Sequence, residues 1–371
     1  MKILQLGKFY PPDFGGIETV LFDITEVLNL KGYKTDVLCS NKKYKYLEDD
    51  YYGYKVIRTK TFGIFFSTSI TPQIIWKLKR IVDEYDIIHV HLPDPMANLA
   101  LYIVNPKNKK IVIHWHSDII KQKYLLKLYE PLQNWLLKKS DKIIATTPKY
   151  INESKYLSQY KSKCISIPIG INKKKLVPNN KKVEEIINKY KNKKIIFSLG
   201  RLTYYKGFNN LILSANYLDD SFVVLIGGSG KLKEELKNLI DKENLNGKVK
   251  LLGGIDSSDL ANFYKACNLF CLPSVMKSEA FGVVQIEAMS FSKPIVATRI
   301  KGSGVDWVNK DGVSGINVEV NNPKALAAGF KYINSSDKLY REFSRQSNNR
   351  FLKNFQRDKM VDAIIDVYTN L

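Results

Sequence analysis

A chain of 371 residues is longer than one hydrophobic core usually supports, so the length predicts two domains. The composition, 44% hydrophobic and 25% charged, is that of a soluble globular protein. No apolar run approaches the roughly 18 residues that a membrane-spanning helix needs. The first residues, MKILQLGKFYPPDFGG, are typical of a buried strand and a glycine-rich turn, not of a signal peptide. The four cysteines, Cys39, Cys164, Cys267 and Cys271, lie far apart or at a spacing unlike that of a zinc pair, which fits reduced core thiols. These features predict a cytoplasmic protein.

The positive charge is unevenly distributed along the chain. The net charge is +22, and residues 101–200 contain 22 basic and 6 acidic residues, which is +16 of that total. A basic surface attracts nucleic acid, anionic lipid or a phosphorylated substrate. We expect no nucleic-acid partner, because no module with aromatic residues interleaved among the lysines is evident. The alternative is a general compositional bias towards lysine.

Short apolar strands alternate with amphipathic helices along the whole chain. Strands are predicted at Ile3–Leu6, Thr35–Leu38, Ile87–Val90, Lys110–Ile113, Lys142–Ala145, Ile195–Leu199, Phe222–Ile226, Val249–Leu252, Leu269–Leu272 and Pro294–Ala297. Several of these strands are apolar on both faces, as a parallel sheet covered by helices requires. The pattern occurs twice and predicts an α/β fold with two doubly wound, Rossmann-like domains.

The domain boundary is expected in a polar, lysine-rich and asparagine-rich stretch at residues 171–180, which Pro178 interrupts. We place the first domain at residues 1–172 and the second at residues 173–354. The last predicted helix, residues 355–371, carries an apolar stripe that needs a surface to cover. We expect that helix to pack back on the first domain.

Ligands of an open α/β sheet bind at the carboxyl ends of the strands, so the loops there are candidate sites. The first such loop, FYPPDFGGIETV, places Gly15 and Gly16 just before a predicted helix. The exposed N–H groups of a helix N-terminus favour a phosphate, although a tight strand-to-helix turn explains the same glycines. There is no G-x-G-x-x-G and no Walker pattern, which argues against a dinucleotide site or a P-loop.

The second loop, IHWHSD, contains His114 and His116, two of the four histidines of the chain. One of them is expected to reach the carboxyl edge of the sheet. The alternative is a satisfied core histidine, which is the commoner state at a strand end. Zinc would need a third and a fourth ligand, and no His/Cys cluster in the sequence supplies them, so we predict no metal site.

The third loop, FSLGRLTYYKGF, carries Arg201 and Lys206 between two glycines. A planar guanidinium and a mobile ammonium complement each other on a diphosphate. Two solvated basic residues at a surface turn are the alternative.

The fourth loop, SEAFGVVQIEAM, places Glu279 before a predicted helix and Glu287 within it. Carboxylates are rarely buried without a partner. The N–H groups at the start of the helix, at Phe281, Gly282 and Val283, again suit a phosphate. We predict that the two glutamates accept hydrogen bonds from hydroxyl groups at opposite ends of one sugar nucleotide.

Together these motifs resemble the retaining family 4 glycosyltransferases of GT-B fold. SEAFGVVQIEAM is similar to the E-x7-E signature of the family, GRLTYYKG to its diphosphate loop, and PPDFGGIETV to its N-terminal glycine loop. IPIGIN resembles the end of the family's first domain. HWHSDIIKQKYLLKLYEPL resembles a subgroup of bacterial surface-polysaccharide and O-antigen mannosyltransferases with an H-S-D segment. The resemblance spans almost the whole chain and implies two Rossmann-like domains that face each other across a cleft.

The resemblance implies that the second domain binds a nucleotide-sugar donor and the first binds the acceptor. Basic side chains and backbone amides would hold the donor diphosphate: Gly15, Gly16, Arg201, Lys206, Phe281, Gly282 and Val283. Glu287 would bind the ribose, Glu279 the hydroxyls of the transferred sugar, and backbone groups around Ile255 the base. His116 would position the sugar near C6, and catalysis would rest on His116, Glu279, Arg201 and Lys206. No D-x-D motif is present, so the basic residues and a helix dipole would replace a divalent cation.

The implied reaction is the retaining, metal-independent transfer of a hexose, with mannose from GDP-mannose favoured. The implied acceptor is a polyprenyl-diphosphate-linked saccharide in surface polysaccharide or lipopolysaccharide synthesis. The alternatives are a UDP-sugar donor carrying glucose, galactose or N-acetylglucosamine, a nucleotide-sugar epimerase of the same fold, and a catalytically silent subunit. Retention through front-side departure needs no carboxylate nucleophile, so the glycosidase rule on carboxylate separation does not apply.

An acceptor that lies in the bilayer predicts a surface that faces an anionic membrane. Residues 121–142 mix leucine, tyrosine and tryptophan with six lysines. The apolar segment Phe62–Ile70, followed by Lys77, Lys79 and Arg80, is a second candidate contact. We therefore expect peripheral association with the inner face of the cytoplasmic membrane. The alternative is that the leucines of 121–142 face the core and the lysines are solvated.

Overall fold

A computed structural model describes residues 1–13, 15–66, 68–119 and 123–371, and for residues 123–126 it describes the backbone only. The chain forms two compact units. The first unit contains Met1–Gly170 and Arg357–Leu371, and the second contains Ile171–Gln356. The chain thus leaves the first unit two residues before the predicted boundary at 172, and returns to it two residues after the predicted one at 354.

The strands are short, as the alternation of apolar segments predicts. In chain order they are β1 (Lys2–Gly7), β2 (Lys34–Ser40), β3 (Leu47–Tyr51), β4 (Tyr54–Thr59), β5 (Gly63–Phe65), β6 (Thr68–Ile70), β7 (Ile87–Leu92), β8 (Lys110–Trp115), β9 (Lys142–Ala145), β10 (Cys164–Ser166), β11 (Lys194–Leu199), β12 (Phe222–Gly227), β13 (Val249–Gly253), β14 (Leu269–Leu272), β15 (Ile295–Arg299) and β16 (Gly315–Glu319).

The helices connect the strands and cover the sheets. In chain order they are α1 (Gly16–Leu30), α2 (Gln73–Ile81), α3 (Pro95–Val104), α4 (Lys123–Lys139), α5 (Pro148–Glu153), α6 (Asn180–Lys189), α7 (Phe208–Ser214), α8 (Lys233–Lys242), α9 (Ser257–Ala266), α10 (Val283–Ser290), α11 (Val305–Val308), α12 (Pro323–Ile333), α13 (Asp337–Asn354) and α14 (Arg357–Thr369). Within the described ranges, none of the helices combines the length and the hydropathy that crossing a bilayer requires.

The first unit is built on a sheet with the strand order β10-β9-β8-β7-β1-β2-β4-β3. Its neighbouring strands are parallel, except for β3 and β4, which pair antiparallel at one edge. The strand order reverses between β1 and β7, because β2 and β4 continue on one side of β1 and β7 to β10 on the other. The carboxyl ends of β1 and β7 therefore form the switch point where ligands of such sheets bind.

The last helix, α14, belongs to the first unit. It buries the apolar stripe that the sequence shows: Met360, Val361, Ile364, Val367 and Tyr368. Each large apolar side chain that is fully buried contributes about 1.5–3 kcal/mol of transfer free energy. Burial of this stripe therefore stabilises the packing of α14 on the first unit. At the start of the helix, the Arg357 guanidinium lies 3.9 Å from the Asp23 carboxylate of α1.

The second unit has a parallel sheet with the strand order β13-β12-β11-β14-β15-β16. Its central strands are buried on both faces, as in β12, where all six residues are buried. The strand order reverses between β11 and β14. The loops that follow these two strands carry Lys206 and Glu279. The residue predicted to bind the diphosphate and the one predicted to bind the sugar therefore lie at the same switch point.

The predicted α/β fold with two doubly wound sheets is confirmed, and each predicted strand is present. The structure adds β3, β4, β5, β6, β10 and β16, for which the sequence carries a weaker signal. For example, β3 has the sequence LEDDY, and none of its five side chains is buried. An edge strand that faces water lacks the apolar pattern from which a strand is predicted.

Candidate functional site

Two charged side chains meet at the switch point of the second unit. Lys206 ends the short turn after β11, and Glu279 lies in the loop after β14, the neighbouring strand. The Lys206 Nζ lies 2.5 Å from the Glu279 Oε2, and the two side chains are only 10% and 11% exposed. Removing one partner of such a poorly hydrated pair leaves the other charge uncompensated. The fold thus holds a cation and an anion together at the edge where a ligand is expected.

Two glycines shape the turn that carries Lys206. Gly207 has a φ of 65°, and a Cβ at this position would lie 2.1 Å from the carbonyl oxygen of Pro273. A Cβ at Gly200 would lie 3.1 Å from the Lys206 Cε, so the lysine stem passes directly over this glycine. The two glycines in GRLTYYKG therefore have separate steric causes: Gly207 packs against the loop after β14, and Gly200 packs against the Lys206 side chain.

Hydroxyl groups position Glu279 before any ligand binds. The Ser274 Oγ donates a hydrogen bond to the Glu279 Oε2 at 2.9 Å, and this is the oxygen that Lys206 contacts. The Ser303 Oγ donates to the Glu279 carbonyl oxygen at 2.5 Å. The Glu279 N–H donates to the Met276 carbonyl oxygen at 2.9 Å. A carboxylate fixed in this way is preorganised, so binding a ligand costs little rearrangement.

The predicted amide donors lie at the start of α10. Gly282 caps this helix with a φ of 76°, and a Cβ there would lie 2.5 Å from the Leu272 Cδ2. Val283 is the first helical residue, so its N–H group has no acceptor within the helix. The Phe281 side chain is buried, with its ring centroid 6.1 Å from that of Phe355. The backbone of this residue, rather than its ring, is therefore the part suited to a ligand.

Glu287 is held by a tyrosine within the second unit. The Tyr264 hydroxyl donates a hydrogen bond to the Glu287 Oε2 at 2.5 Å. Burial raises the pKa of the Glu287 carboxyl, while the Tyr264 hydrogen bond and the positive charge of Lys206 act in the opposite direction. A carboxylate has about four acceptor positions, so one bond from Tyr264 leaves capacity for two vicinal hydroxyls.

The structure leaves Arg201 outside this pair. Its side chain is exposed and forms no ion pair with another residue in the described part of the chain. An arginine in this state can contact a bound anion without breaking an existing ion pair. Ile255, in the loop after β13, packs at the end of β12: a Cβ at Gly227 would lie 2.5 Å from the Ile255 Cδ1. The predicted base-binding segment thus lies beside the strand next to β11.

Gly15 and Gly16 begin α1 at the switch point of the first unit. Gly15 is extended, with a φ of −158°, and a Cβ there would lie 2.3 Å from the Glu18 Oε2. Apart from its chain neighbours and the backbone of its own helix, a Cβ at Gly16 would have no described atom within 4 Å. Gly15 therefore makes room for the Glu18 side chain, whereas the space beside Gly16 allows a ligand to approach the backbone.

The sequence contains four histidines, and they form one stack in the first unit. His89 and His91 lie on β7, and His114 and His116 lie on or just after β8, the neighbouring strand. The ring centroids of His114 and His116 are 4.4 Å apart, those of His91 and His114 5.1 Å, and those of His89 and His91 4.8 Å. Burial lowers the pKa of each imidazole, that of His114 to about 3. All four rings are therefore neutral at pH 7.

A chain of hydrogen bonds connects His116 to the last helix. The His116 Nε2 lies 3.0 Å from the His91 Nδ1, and the His91 Nε2 lies 2.9 Å from the Gln5 Oε1. The Gln5 Nε2 donates to the Tyr368 hydroxyl at 3.4 Å, and this hydroxyl lies 2.5 Å from the His89 Nδ1. Helix α14 thus helps to fix the orientation of His89 and, through Gln5 and His91, of His116.

The prediction that no His/Cys cluster would offer further ligands beside His114 and His116 was wrong. Strand pairing brings His89 and His91 next to His114, and nitrogen atoms of these three lie within 4.8 Å of one another. A zinc ion requires nitrogens that converge at about 2.0–2.1 Å. The three rings are parallel to within 28°, so their in-plane lone pairs run side by side. The geometry suits a neutral stack, and the absence of a required metal stays a prediction.

Several residues of these sites were not predicted from the sequence, and Asp94 is one of them. Asp94 follows β7 at the first switch point, and its Oδ1 caps α3 by accepting from the N–H groups of Met96 and Ala97. Its Oδ2 is buried and has no hydrogen-bond partner in the described part of the chain. Burial raises the pKa of Asp94 to about 6. The run PDP, a helix cap before proline, was the available signal for this residue.

Protein-family models match both halves of the chain. The model for glycosyltransferase family 4 matches residues 14–175, and the model for glycosyl transferases group 1 matches residues 179–350. The chain is 30% identical to the O-antigen chain mannosyltransferase C of Escherichia coli, over 100% of this chain and 99% of that protein. It is 29% identical to a D-rhamnosyltransferase of Pseudomonas aeruginosa, over 96% of this chain and 92% of the relative.

Solved structures share the fold over the full length. HepE of Anabaena in complex with UDP superposes with a TM-score of 0.81 at 19% identity, covering 100% of both chains. Sucrose-phosphate synthase of Thermosynechococcus elongatus superposes with a TM-score of 0.80 at 19% identity, covering 100% of this chain and 99% of the other. From the two family models, the full-length relatives and the two doubly wound sheets, we conclude that the chain belongs to the family 4 glycosyltransferases of GT-B fold.

Proposed function

We propose that this glycosyltransferase moves mannose from GDP-mannose to a lipid-linked saccharide in surface polysaccharide or lipopolysaccharide synthesis, with retention of the anomeric configuration. Two relatives support the sugar, since one is a mannosyltransferase and the other a D-rhamnosyltransferase. D-Rhamnose is mannose without its 6-hydroxyl group, so both names indicate the same stereochemistry at C2, C3 and C4. The O-antigen chain in the first name supports a polysaccharide acceptor.

The buried contact between Lys206 and Glu279 is the observation that carries this proposal. Negative charge develops on the diphosphate as its bond to the sugar breaks, and the Lys206 ammonium is suited to stabilise that charge. Glu279 shares the ammonium until the donor arrives, and its carboxylate then accepts hydrogen bonds from sugar hydroxyls. Arg201 and the amides near Val283 supply further positive potential.

The proposed transfer needs no carboxylate nucleophile. The bond between the anomeric carbon and the β-phosphate oxygen breaks as the acceptor hydroxyl bonds to the same face of that carbon. The proton of the acceptor hydroxyl goes to the departing phosphate oxygen, which balances charge and atoms. The configuration is therefore retained, and the residues of the chain bind and orient the reactants.

The remaining roles follow the resemblance of the motifs. We assign the ribose to Glu287, the base to the segment around Ile255, and the C6 end of the sugar to His116. A neutral His116 is suited to a hydrogen bond with an uncharged sugar, because burial lowers the pKa of its imidazole. The lysine and arginine charges and the helix dipole of α10 take the place of a divalent cation in this proposal.

A lipid-linked acceptor requires the enzyme to work at the inner face of the cytoplasmic membrane. In the basic segment 121–142, Leu136 and Leu137 are fully buried, so part of its apolar content belongs to the core. Leu128 is 80% exposed, and Lys127 beside it is also exposed. Lys121 lies outside the described residues. Among the side chains of α4 that the structure describes, Lys127 and Leu128 support a membrane contact, whereas Leu136 and Leu137 do not.

A panel of nucleotide sugars, scored by the shift in thermal unfolding, tests the donor. A ligand at a hundred times its dissociation constant adds about 2.7 kcal/mol of stability. We expect GDP-mannose to give the largest shift, with GDP-D-rhamnose close behind. A larger shift with UDP-glucose, UDP-galactose or UDP-N-acetylglucosamine would identify that nucleotide sugar as the donor and contradict the assignment of GDP-mannose. Conversion of a nucleotide sugar to its epimer or to free sugar, in the presence of acceptor and without transfer, would instead favour an epimerase.

A further inference from the structure

The β5–β6 hairpin of the first unit presents large apolar side chains to solvent. Phe62, Ile64, Phe65 and Phe66 are 62%, 46%, 62% and 71% exposed. They come from five consecutive positions, and the pairing of β5 with β6 holds them on one short element. Single exposed apolar residues are ordinary, but a contiguous group of this kind marks an interaction surface.

Hydrogen bonds at the base of the hairpin fix its place on the unit. The Phe62 N–H donates to the Ile70 carbonyl oxygen at 2.9 Å, which closes the hairpin. The Ser69 and Ser40 hydroxyls are 2.7 Å apart, which ties β6 to β2. On the other side, the Lys60 N–H donates to the Gln73 Oε1 of α2 at 3.0 Å. The aromatic side chains are therefore presented by a hairpin that is anchored at both ends.

The chain segment that contains these apolar side chains is rich in basic residues. Residues 41–81 contain nine Lys or Arg and three Asp or Glu. Two of the three acidic groups are already paired, Glu48 with Lys77 at 3.0 Å and Asp49 with Arg58 at 2.9 Å. Lys42 is neutralised by Asp13 at 2.8 Å, so the excess positive charge of the segment comes from the remaining basic residues.

The cations lie close to the rings. The Lys60 Nζ is 5.0 Å from the ring centroid of Tyr44, and this ring is 4.8 Å from that of Phe62. The Thr61 N–H donates to the Lys43 carbonyl oxygen at 3.2 Å, which places the exposed segment of Lys43 and Lys45 beside the hairpin.

Helix α2 follows the hairpin in the chain and is joined to its base through Gln73. It begins three residues after β6, and Trp76 on it is 67% exposed. Lys79 and Arg80 follow in the last turn, and both are exposed. Tryptophan beside basic residues is the composition found where proteins meet the headgroup region of a bilayer.

We propose that the β5–β6 hairpin and Trp76, with Lys43, Lys45, Lys79 and Arg80 around them, dock the enzyme on an anionic lipid bilayer. The rings enter the headgroup region, and the cations contact lipid phosphates. The charge excess selects this occupant, since an apolar groove on a protein partner would not require it. The inference rests on the proposed lipid-linked acceptor and assigns the membrane contact to the hairpin, which the sequence ranked second to residues 121–142.

Sedimentation of the full-length protein with lipid vesicles tests this assignment. We expect binding to vesicles of mixed phosphatidylglycerol and phosphatidylcholine, weaker binding at high salt, and little binding to phosphatidylcholine alone. The double variant Ile64→Ser, Phe65→Ser is expected to lower the partition coefficient by about tenfold or more. Its matched control is Tyr217→Ser with Tyr332→Ser, which removes two exposed aromatic rings from the second unit.

Two charge-reversal variants of equal net charge distinguish a local attraction at the docking surface from a general effect of net charge. Lys79→Glu with Arg80→Glu is expected to release the protein from anionic vesicles, while Lys237→Glu with Lys242→Glu on α8, of equal net charge, is expected to retain binding. Equal sedimentation of the hairpin variant, the Lys79/Arg80 variant and the wild type would overturn the proposal.

Thermal shift with the nucleotide sugar, measured on the same proteins, keeps the two proposals distinguishable. Wild-type protein that binds vesicles but no nucleotide sugar would contradict the proposed function and leave the docking surface standing. Donor binding together with vesicle binding that the hairpin variants do not reduce would contradict the docking surface alone.

Discussion

The Lys206 Nζ and the Glu279 Oε2 lie 2.5 Å apart, although 73 positions separate the two residues in the chain. They meet because β11 and β14 are neighbours across the reversal in strand order of the second unit. Each charge is poorly hydrated and depends on the other for compensation. In the proposed mechanism, a diphosphate that binds beside Lys206 competes with Glu279 for the ammonium and makes the carboxylate available to the sugar.

Substitution of Lys206 by Ala is expected to lower turnover by about two orders of magnitude, comparable to the loss of one preorganised donor to a developing charge. The effect should lie mainly in kcat, since the ammonium contributes most when the diphosphate departs. Steady-state kinetics with the donor identified by thermal shift check this expectation. Lys237→Ala, an exposed lysine on α8, is the control. Turnover of Lys206→Ala within threefold of the wild type would remove the lysine from the mechanism.

The two glutamates are expected to separate into two functions. Glu287→Gln should weaken binding of the free nucleoside diphosphate, because Glu287 is assigned to the ribose. Glu279→Gln should leave that binding nearly unchanged and lower turnover, because Glu279 is assigned to the transferred sugar. Calorimetric titration and kinetics of both variants measure the two effects. Tyr264→Phe removes the hydroxyl that holds Glu287 and should weaken nucleotide binding less than Glu287→Gln does. The opposite pattern for the two glutamates would reverse the assignment.

Transfer is expected to continue in excess EDTA. Lys206, Arg201 and the start of α10 carry the charge stabilisation in the proposed mechanism, so chelation removes nothing that the reaction uses. Initial rates with and without chelator, after dialysis against it, make the comparison. Loss of activity that Mg²⁺ or Mn²⁺ restores would show that a divalent cation neutralises the charge on the diphosphate, and would contradict the proposed mechanism.

The histidine stack should make the fold sensitive to acid. An unfolded imidazole has a pKa of about 6.5, so below that pH the unfolded chain binds protons that the buried rings exclude, and stability falls. The folded pKa of His114 is about 3. This residue alone thus costs about 1.4 kcal/mol per pH unit from about pH 6 down to about pH 3.

Urea unfolding at a series of pH values measures this slope, and His114→Leu provides the comparison. Asp94 acts in the opposite direction, because its pKa is raised to about 6 in the fold, but it contributes equally to both proteins. The difference between wild type and variant therefore isolates His114. We expect the variant to lose stability less steeply as the pH falls below about 6, and equal slopes would mean that His114 is not held neutral in the fold.

The central strands and the site motifs could be predicted from the sequence, because their signals are local. A strand such as β12 is apolar on both faces, and GRLTYYKG and SEAFGVVQIEAM are contiguous runs. The contact between Lys206 and Glu279 is not local, since it depends on the order of strands in the sheet. Helix α14 was assigned its apolar stripe correctly, but the sequence does not show that Tyr368 reaches His89.

The histidine stack illustrates the same limit. IIHVHL and IHWHS each place two histidines on one face of a strand, because side chains alternate along β structure. Only the pairing of β7 with β8 shows that the two faces coincide. The β5–β6 hairpin was recognised as an apolar segment, whereas its exposure follows from its place outside the two sheets.

Calorimetric titration of wild type and Lys206→Ala with the nucleoside monophosphate and diphosphate of the preferred base tests the central claim most directly. In the wild type, the diphosphate should bind more tightly than the monophosphate, because the β-phosphate contacts Lys206. In Lys206→Ala, most of that gain in affinity should disappear, while binding of the monophosphate changes little. The same gain in both proteins would contradict the assignment of Lys206 to the donor diphosphate.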